Sequence, residues 1–408
     1  MNRTQFMLQY AKILPCFVYM FRGALTGLQG RTRSMYRRMQ RGANSSFEHQ
    51  GFRMDRYSSE NLKGGMFRRI LEQRVAKVLG NSRPMTVQLD LTNACNLSCA
   101  HCYHPHHQNK GGLSLSQWRT IFEQIVEFSK AINFQPYFVL CGGEPLLSPF
   151  LSPMLDLIQQ SFADANVTVL TNGTLITERH IRLFHGRTMQ FQISLDGPDS
   201  TRHDAVRGSG SFEASMAGIK KLKDNQHSIS ILSILSARTR PWIREYFELA
   251  KKLGVHSQNF TRLIPMGIGE ELVESGSDGC LSPLELKTAY TDIILNSHIY
   301  QIPTATDQPL FALLGNTFGH HDLFGINGVI VDYKGQLKVS SRSNFVLGSL
   351  ITERLEDLFL KHPVMKALQS GEIEGCGTCK YYAKCGGDRN AAFASTGSFL
   401  TKDPGCWI

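Results

Sequence analysis

From residue 86 to about residue 300, short apolar runs alternate with longer stretches in which apolar residues recur every three or four positions. Runs of four to eight apolar residues bounded by turn residues read as strands, and the 3.6-residue period reads as amphipathic helix. The pattern predicts strands at 86–91, 137–141, 167–171, 190–194, 229–234 and 258–264. It predicts helices at 114–132, 150–161, 178–184, 211–223, 242–253 and 283–297. Strands alternating with helices build parallel βαβ units. Six such units predict an α/β fold, a partial (β/α)6 TIM-like barrel, in which chemistry sits at the C-terminal ends of the strands. Further on, 329–333 and 336–339 predict a hairpin turning at Lys334-Gly335, then a helix at 355–368 and a cysteine-rich end. Near the start, 67–79 places Phe67, Ile70, Leu71, Val75 and Val78 on one helical side. There is no internal repeat and no low-complexity segment.

Charge divides the chain more sharply than hydropathy does. The formal net charge is +10. Sixteen basic and four acidic residues fall within 1–84, against 28 and 30 in the remainder, so the leader carries +12 and the body −2. The apolar run 13–21 is too short to span a bilayer, is bounded by Lys12 and Arg22, and contains the helix-breaking Pro15. No small-residue cleavage pattern follows it, whereas an Arg-rich, acid-poor start leaves an organellar transit peptide open. The basic patch 31–41 suits an anionic membrane surface or an acidic peptide, and equally a solvated tail. No nucleic-acid module accompanies it, so nucleic acid is not an expected partner.

The ten cysteines fall in two clusters plus isolated residues. Cys95, Cys99 and Cys102 form C-x3-C-x2-C directly after the first predicted strand. Three thiolates on one tight loop can hold an inorganic centre. Iron–sulfur clusters favour thiolate ligands, and three cysteines on a four-iron cubane leave one iron open. Zinc is the competing reading, with His101, His104, His106 or His107 as a fourth ligand. A disulfide framework is disfavoured, because a chain of this length needs no staples and reducing compartments do not keep them. A cytoplasmic setting is therefore expected.

The string Cys95-Asn-Leu-Ser-Cys99-Ala-His-Cys102-Tyr103 resembles the signature of the radical S-adenosylmethionine (SAM) enzymes. Gly142-Gly143-Glu144-Pro145, Thr171-Asn172-Gly173-Thr174 and Ser194-Leu195-Asp196-Gly197 follow in order, each after a predicted strand. His203-Asp204 and Arg207-Gly208 come soon after. One such piece alone is a weak signal, since Gly-Gly-Glu-Pro can be a simple turn. Together, in order and each after a strand, they resemble the core of that superfamily from about residue 85 to 267.

The resemblance implies a [4Fe–4S] cluster on Cys95, Cys99 and Cys102 that binds SAM and splits it to a 5′-deoxyadenosyl radical. It implies cofactor contacts from His101, Tyr103, Gly142, Gly143, Glu144, Asn172, Ser194 and Arg207. Gly142 and Gly143, lacking a Cβ, would bring main-chain groups to the methionyl end. Glu144 would accept from its amino group, and Ser194 and Arg207 would hold its carboxylate or ribose. The alternatives are a surface ion pair for Arg207, a turn-shaping part for Asn172 and a satisfied loop histidine for His101.

Near the end, Cys376, Cys379 and Cys385 form C-x2-C-x5-C, and Cys406 follows after a gap. The pattern resembles the SPASM/Twitch extension, which carries auxiliary iron–sulfur clusters; a zinc ribbon is the alternative. Ser340 and Arg389 stand where a full extension has further cysteines, which implies one auxiliary [4Fe–4S] cluster. The expected organisation is a leader at 1–84, a radical SAM barrel at 85–300 and a small C-terminal iron–sulfur domain at 301–408. The stretch Gly315-Asn316, Gly335 and Gly348 also resembles haem-modifying members. Cys141 suits a packing role, Cys280 an active-site thiol or an inert one, and Cys16 has no assigned part.

This resemblance implies a peptide-modifying enzyme, acting on a ribosomally made precursor to form a crosslink or thioether or to epimerise a residue. Its electron donor would be a flavodoxin or ferredoxin. A haem- or tetrapyrrole-modifying enzyme is the alternative, with Arg262 suited to a substrate carboxylate in either case; a sulfatase-maturing activity is a third. A non-catalytic zinc scaffold or electron carrier is the reading from another class.

Overall fold

The computed structural model describes residues 83–104, 111–306, 308–315, 318 and 328–408. Gly315 aside, these belong to one compact unit spanning Gly65–Leu314 and Phe318–Ile408. Residues 1–82 of the basic leader, with Cys16 and the predicted helix at 67–79, lie outside the described residues, as do His106 and His107.

Six strands, β1 (Arg83–Asp90), β2 (Phe134–Cys141), β3 (Val167–Thr171), β4 (Met189–Ser194), β5 (Ser228–Leu235) and β6 (Ser257–Arg262), pair in parallel in chain order. Helices join them, as the sequence predicts for a partial (β/α)6 barrel. The strand pattern explains the layering. In β4, Met189, Phe191 and Ile193 are buried, while Gln190, Gln192 and Ser194 alternate with them on the half-exposed face. In β5 the same alternation buries Ile229, Ile231, Ser233 and Leu235. The buried face packs on a helix and on the loop before β5: the Phe191 ring lies 4.8 Å from Phe184 and 5.1 Å from His227. The other face turns to the inside of the partial barrel.

Three features depart from the expectations. The hairpin forms as β7 (Gly328–Val331) and β8 (Gln336–Lys338), turning at Gly335 with φ +79°, but β7 pairs in parallel with β1 and β9 (Val346–Ser349) follows β8. The result is one open nine-stranded sheet, ordered β6-β5-β4-β3-β2-β1-β7-β8-β9. The helix expected at 355–368 is two helices, Leu355–Lys361 and Pro363–Ser370. Pro363 has no N–H to continue the first helix and pushes His362 to an extended ψ of 134°. Short helices at Ser200–Arg207, Ile268–Glu274 and Arg389–Thr396 were not evident in the apolar pattern.

Phe191 is fully buried in the middle of the sheet. Phe191→Ala should cost about 3–5 kcal/mol of unfolding free energy, read as a lower urea midpoint with an unchanged slope.

Candidate functional site

The cysteine loop leaves β1 and is fixed by main-chain bonds to three neighbouring elements. Leu91 N–H donates to the Cys141 carbonyl (2.8 Å), Gly143 N–H to Thr92 (2.8 Å) and Glu144 N–H to Ala94 (2.8 Å). Ala100 N–H donates to Val206 (2.9 Å), and Gly269 N–H to Cys102 (3.1 Å). A Cβ on Gly142 would collide with the Thr92 carbonyl, and one on Gly143 with the Ala94 carbonyl. The primary reason for glycine at these two positions is thus the approach of the Gly-Gly turn to the cysteine loop.

Cys95, Cys99 and Cys102 line one cavity of 190 Å³ at the C-terminal ends of the strands. His101, Tyr103, Gly142, Gly143, Asn172, Ser194 and Arg207 line it too, so ten of the eleven residues expected at this site come together. Gln192 lies beside Ser194 on the same strand face, and neither side chain has a hydrogen-bond partner among the described residues. Burial pushes the Cys95 and Cys99 thiols up and the Cys102 thiol up to about 11. The nearby Arg207 guanidinium only partly offsets this burial, so the three are neutral at pH 7, and a metal centre that took them as thiolates would release their protons.

Glu144 is the exception. It is fully buried and absent from the cavity wall. Its carboxylate accepts from Leu146 N–H (3.1 Å), Thr171 Oγ1 (2.7 Å) and Asn172 N–H (2.9 Å). Burial raises its pKa to about 7 against these three donors. Glu144 therefore ties the Gly-Gly turn to the end of β3. Asn172 acts on its turn as well as lining the cavity. Its Oδ1 accepts from Thr174 N–H (2.9 Å) and its Nδ2 donates to Asn96 Oδ1 (3.0 Å).

Asp196, within the Ser-Leu-Asp-Gly string, organises the charges. It is 1% exposed. Arg207 Nε donates to its Oδ2 (2.6 Å), His101 Nε2 lies 3.3 Å from the same oxygen, and Ile234 N–H donates to Oδ1 (2.7 Å). Burial alone would raise this carboxyl; the Arg207 guanidinium and His101 outweigh it and hold Asp196 at about 2. Arg207 is thus a buried ion pair, with Nη1 3.8 Å from Cys99 Sγ. Burial lowers the His101 pKa, so its ring is neutral at pH 7. His203 fixes Asp196 from behind: the Asp196 N–H donates to His203 Nδ1 (3.2 Å).

A second cavity, of 270 Å³, is lined by Cys376, Cys379, Cys385 and Cys406. Burial pushes Cys385 up to about 12 and raises Cys406. All nine described cysteines are free thiols. Among the described residues, no three His, Cys, Asp or Glu side chains gather as for a single metal ion. Cys141 is buried and donates to Asp90 Oδ1 (2.9 Å), whereas Cys280 is exposed and lines neither cavity.

Arg262 departs from its expected part. Its guanidinium lies in the first cavity wall but is held by Asp403, through Nη1 (3.1 Å) and Nη2 (3.0 Å), and by Asp388 at 2.9 Å. With two carboxylates of its own, it links the end of β6 to the cysteine-rich segment and is not free for a substrate. The cation that remains available is Arg342, which the sequence reading missed. It lines the same cavity, donates to Thr261 Oγ1 (2.7 Å), and has no carboxylate within ion-pair distance among the described residues. Its signal was an arginine set among serines in the turn after β8.

Asp196→Asn should leave Arg207 buried without a counter-charge and cost about 3–5 kcal/mol at pH 7. The Asp196 carboxyl titrates lower in the folded protein than unfolded, so its stabilisation is complete above pH ~4 and is lost as pH falls toward 2. Urea titrations across that window should show the unsubstituted chain losing on the order of 2 kcal/mol that Asp196→Asn does not lose.

The comparisons with known proteins agree with this geometry. Residues 89–250 match the model of the radical SAM superfamily. The chain is 26% identical to an AdoMet-dependent heme synthase of Methanosarcina barkeri, over 79% of this chain and 96% of that protein. It is 28% identical to the mycofactocin maturase MftC of Mycobacterium ulcerans, over 80% of this chain and 89% of the relative. Streptococcus suis SuiB, solved bound to precursor peptide SuiA, shares the fold with a TM-score of 0.63 at 14% identity, covering 83% of this chain and 80% of that one. Among the described residues no helix is long and apolar enough to cross a membrane. Cysteine loop, Gly-Gly turn and strand-end cavity lie within or beside the matched stretch; residues 89–250 are a radical SAM domain, and the chain is an enzyme built on it.

Proposed function

We propose that this enzyme binds a [4Fe–4S] cluster through Cys95, Cys99 and Cys102, takes SAM into the adjoining cavity, and uses the resulting radical to modify a peptide. The observation that carries the reading is the convergence of three thiols, the Gly-Gly turn and the unpartnered Gln192 and Ser194 on one strand-end cavity. That donor set fits the group: thiolates for iron, and uncommitted polar side chains for a polar cofactor. When bound, the cluster supplies the single electron that splits the SAM sulfonium.

The chain's own residues do the rest. The main-chain bonds at Thr92, Ala94 and Ala100 hold the thiols in place before the metal arrives. Arg207, kept charged by Asp196, stands beside Cys99 and offsets the negative charge of a thiolate cluster. Gln192 and Ser194 offer hydrogen bonds to the cofactor from β4. Neutral His101 and half-buried Tyr103 give the cavity ring surface. Cys376, Cys379, Cys385 and Cys406 would hold one auxiliary [4Fe–4S] cluster in the second cavity, which all four line. A flavodoxin or ferredoxin would deliver the electron.

A peptide substrate is supported by the maturase name of the Mycobacterium ulcerans relative and by the peptide bound to SuiB, a protein of the same fold. Arg342 gives that substrate a carboxylate contact. The same arginine favours a second reading, a tetrapyrrole carrying propionates, which the heme synthase name of the Methanosarcina barkeri relative supports. The test is anaerobic turnover with candidate precursor peptides or with carboxylated tetrapyrroles, followed by mass spectrometry of each. A mass change confined to a peptide, with faster 5′-deoxyadenosine formation in its presence, is expected; a change confined to the tetrapyrrole would replace the first reading by the second. Arg342→Gln should raise the substrate KM by roughly tenfold or more, the loss of one charge-assisted hydrogen bond. It should leave substrate-free 5′-deoxyadenosine formation unaltered.

A further inference from the structure

Arg389 is 4% exposed and contacts Gly387 and Cys376, two residues that line the second cavity. Its Nε donates to the Gly387 carbonyl (3.2 Å), and its Nη1 donates to Phe399 (2.8 Å) and Thr401 (2.6 Å). Its Nη2 is directed at Cys376 Sγ, 3.8 Å away. Carbonyls satisfy its Nε and Nη1 N–H groups but carry no net charge, and a buried cation without a counter-ion is costly. No carboxylate lies within 4.0 Å of it among the described residues. The two nearest in sequence, Asp388 and Asp403, are turned to Arg262. The one group toward which Arg389 points that can become an anion is the Cys376 thiol.

We propose that Arg389 is a positioning residue for the C-terminal cluster: it supplies the counter-charge and an N–H···S hydrogen bond to Cys376, and so holds that cluster's reduction potential up. This rests on the reading that the four cysteines bind an iron–sulfur cluster. Net charge, hydrogen bonds to sulfur and solvent exposure are the levers that set such potentials, and Arg389 works the first two from a site closed to water. Gly387 makes room for the guanidinium, because a Cβ there would collide with Arg389 Nη2.

The test is an anaerobic potentiometric titration of the full chain followed by electron paramagnetic resonance, with Arg389→Gln and Arg389→Lys beside it. The N-terminal cluster is identified as the signal that changes when SAM is added. At the unsubstituted chain's C-terminal midpoint, Arg389→Gln should show a reduced-to-oxidised ratio lower by roughly tenfold, about 59 mV for a one-electron couple. Arg389→Lys should fall between the two, and the N-terminal signal should not move. A loaded Arg389→Gln with an unchanged ratio overturns the proposal. So does equal loss of the C-terminal iron from both variants, which would make Arg389 only a tie for three carbonyls; loss from Gln alone, with Lys loaded, supports it. An unsubstituted chain with about four irons and a zinc, in place of about eight irons, would instead overturn the cluster reading itself.

Discussion

The cysteine loop is held by its backbone, and everything at this site depends on that. Thr92 and Ala94 receive hydrogen bonds from the Gly-Gly turn after β2, Ala100 donates to the end of the helix Ser200–Arg207, and the Cys102 carbonyl receives Gly269 N–H. Because no side chain takes part in these bonds, the thiols of Cys95, Cys99 and Cys102 are left free to face the cavity. The cost is steric. The strands must deliver glycines where two main chains meet, and the sheet order must place β2 beside β1. Parallel pairing in chain order does this, which is how an apolar pattern spread over many residues fixes the position of three sulfurs.

Charge is arranged around that frame in two buried groups. Asp196 holds Arg207 next to Cys99, on the side of the first cavity. Asp388 and Asp403 hold Arg262, whose guanidinium lies in the wall of the first cavity while Asp403 lies in the wall of the second. The two cavities are therefore joined by one ion-paired strut rather than by apolar packing alone. Losing either partner would leave a buried charge uncompensated, so the strut fixes how the cysteine-rich segment meets the end of β6.

Much of this was legible in the sequence where the information is local. Strand periodicity gave β1 to β6, and the motif order brought Gly142, Gly143, Asn172, Ser194 and Arg207 to the cavity that holds the cysteines. Asp196 was visible in its string, but nothing local says that Arg207, eleven residues on, turns back to it. What stayed hidden is long-range. Arg262 meets Asp388 and Asp403 across 126 and 141 residues, so its expected freedom for a substrate failed for a reason no window of sequence contains. The hairpin at 328–338 was recognisable as a hairpin, yet its docking on β1 is a tertiary event. Pro363 was a readable break that the apolar period overrode, and Glu144 kept its motif position while its carboxylate turned inward to β3.

The central claim is that the three thiols of the cysteine loop hold a reducible centre that cleaves SAM. Its most direct test is anaerobic incubation of the iron-loaded full chain with dithionite and SAM, with 5′-deoxyadenosine and methionine quantified by chromatography. The account predicts both products from the unsubstituted chain and neither from Cys99→Ala; equal product from the two proteins would contradict it.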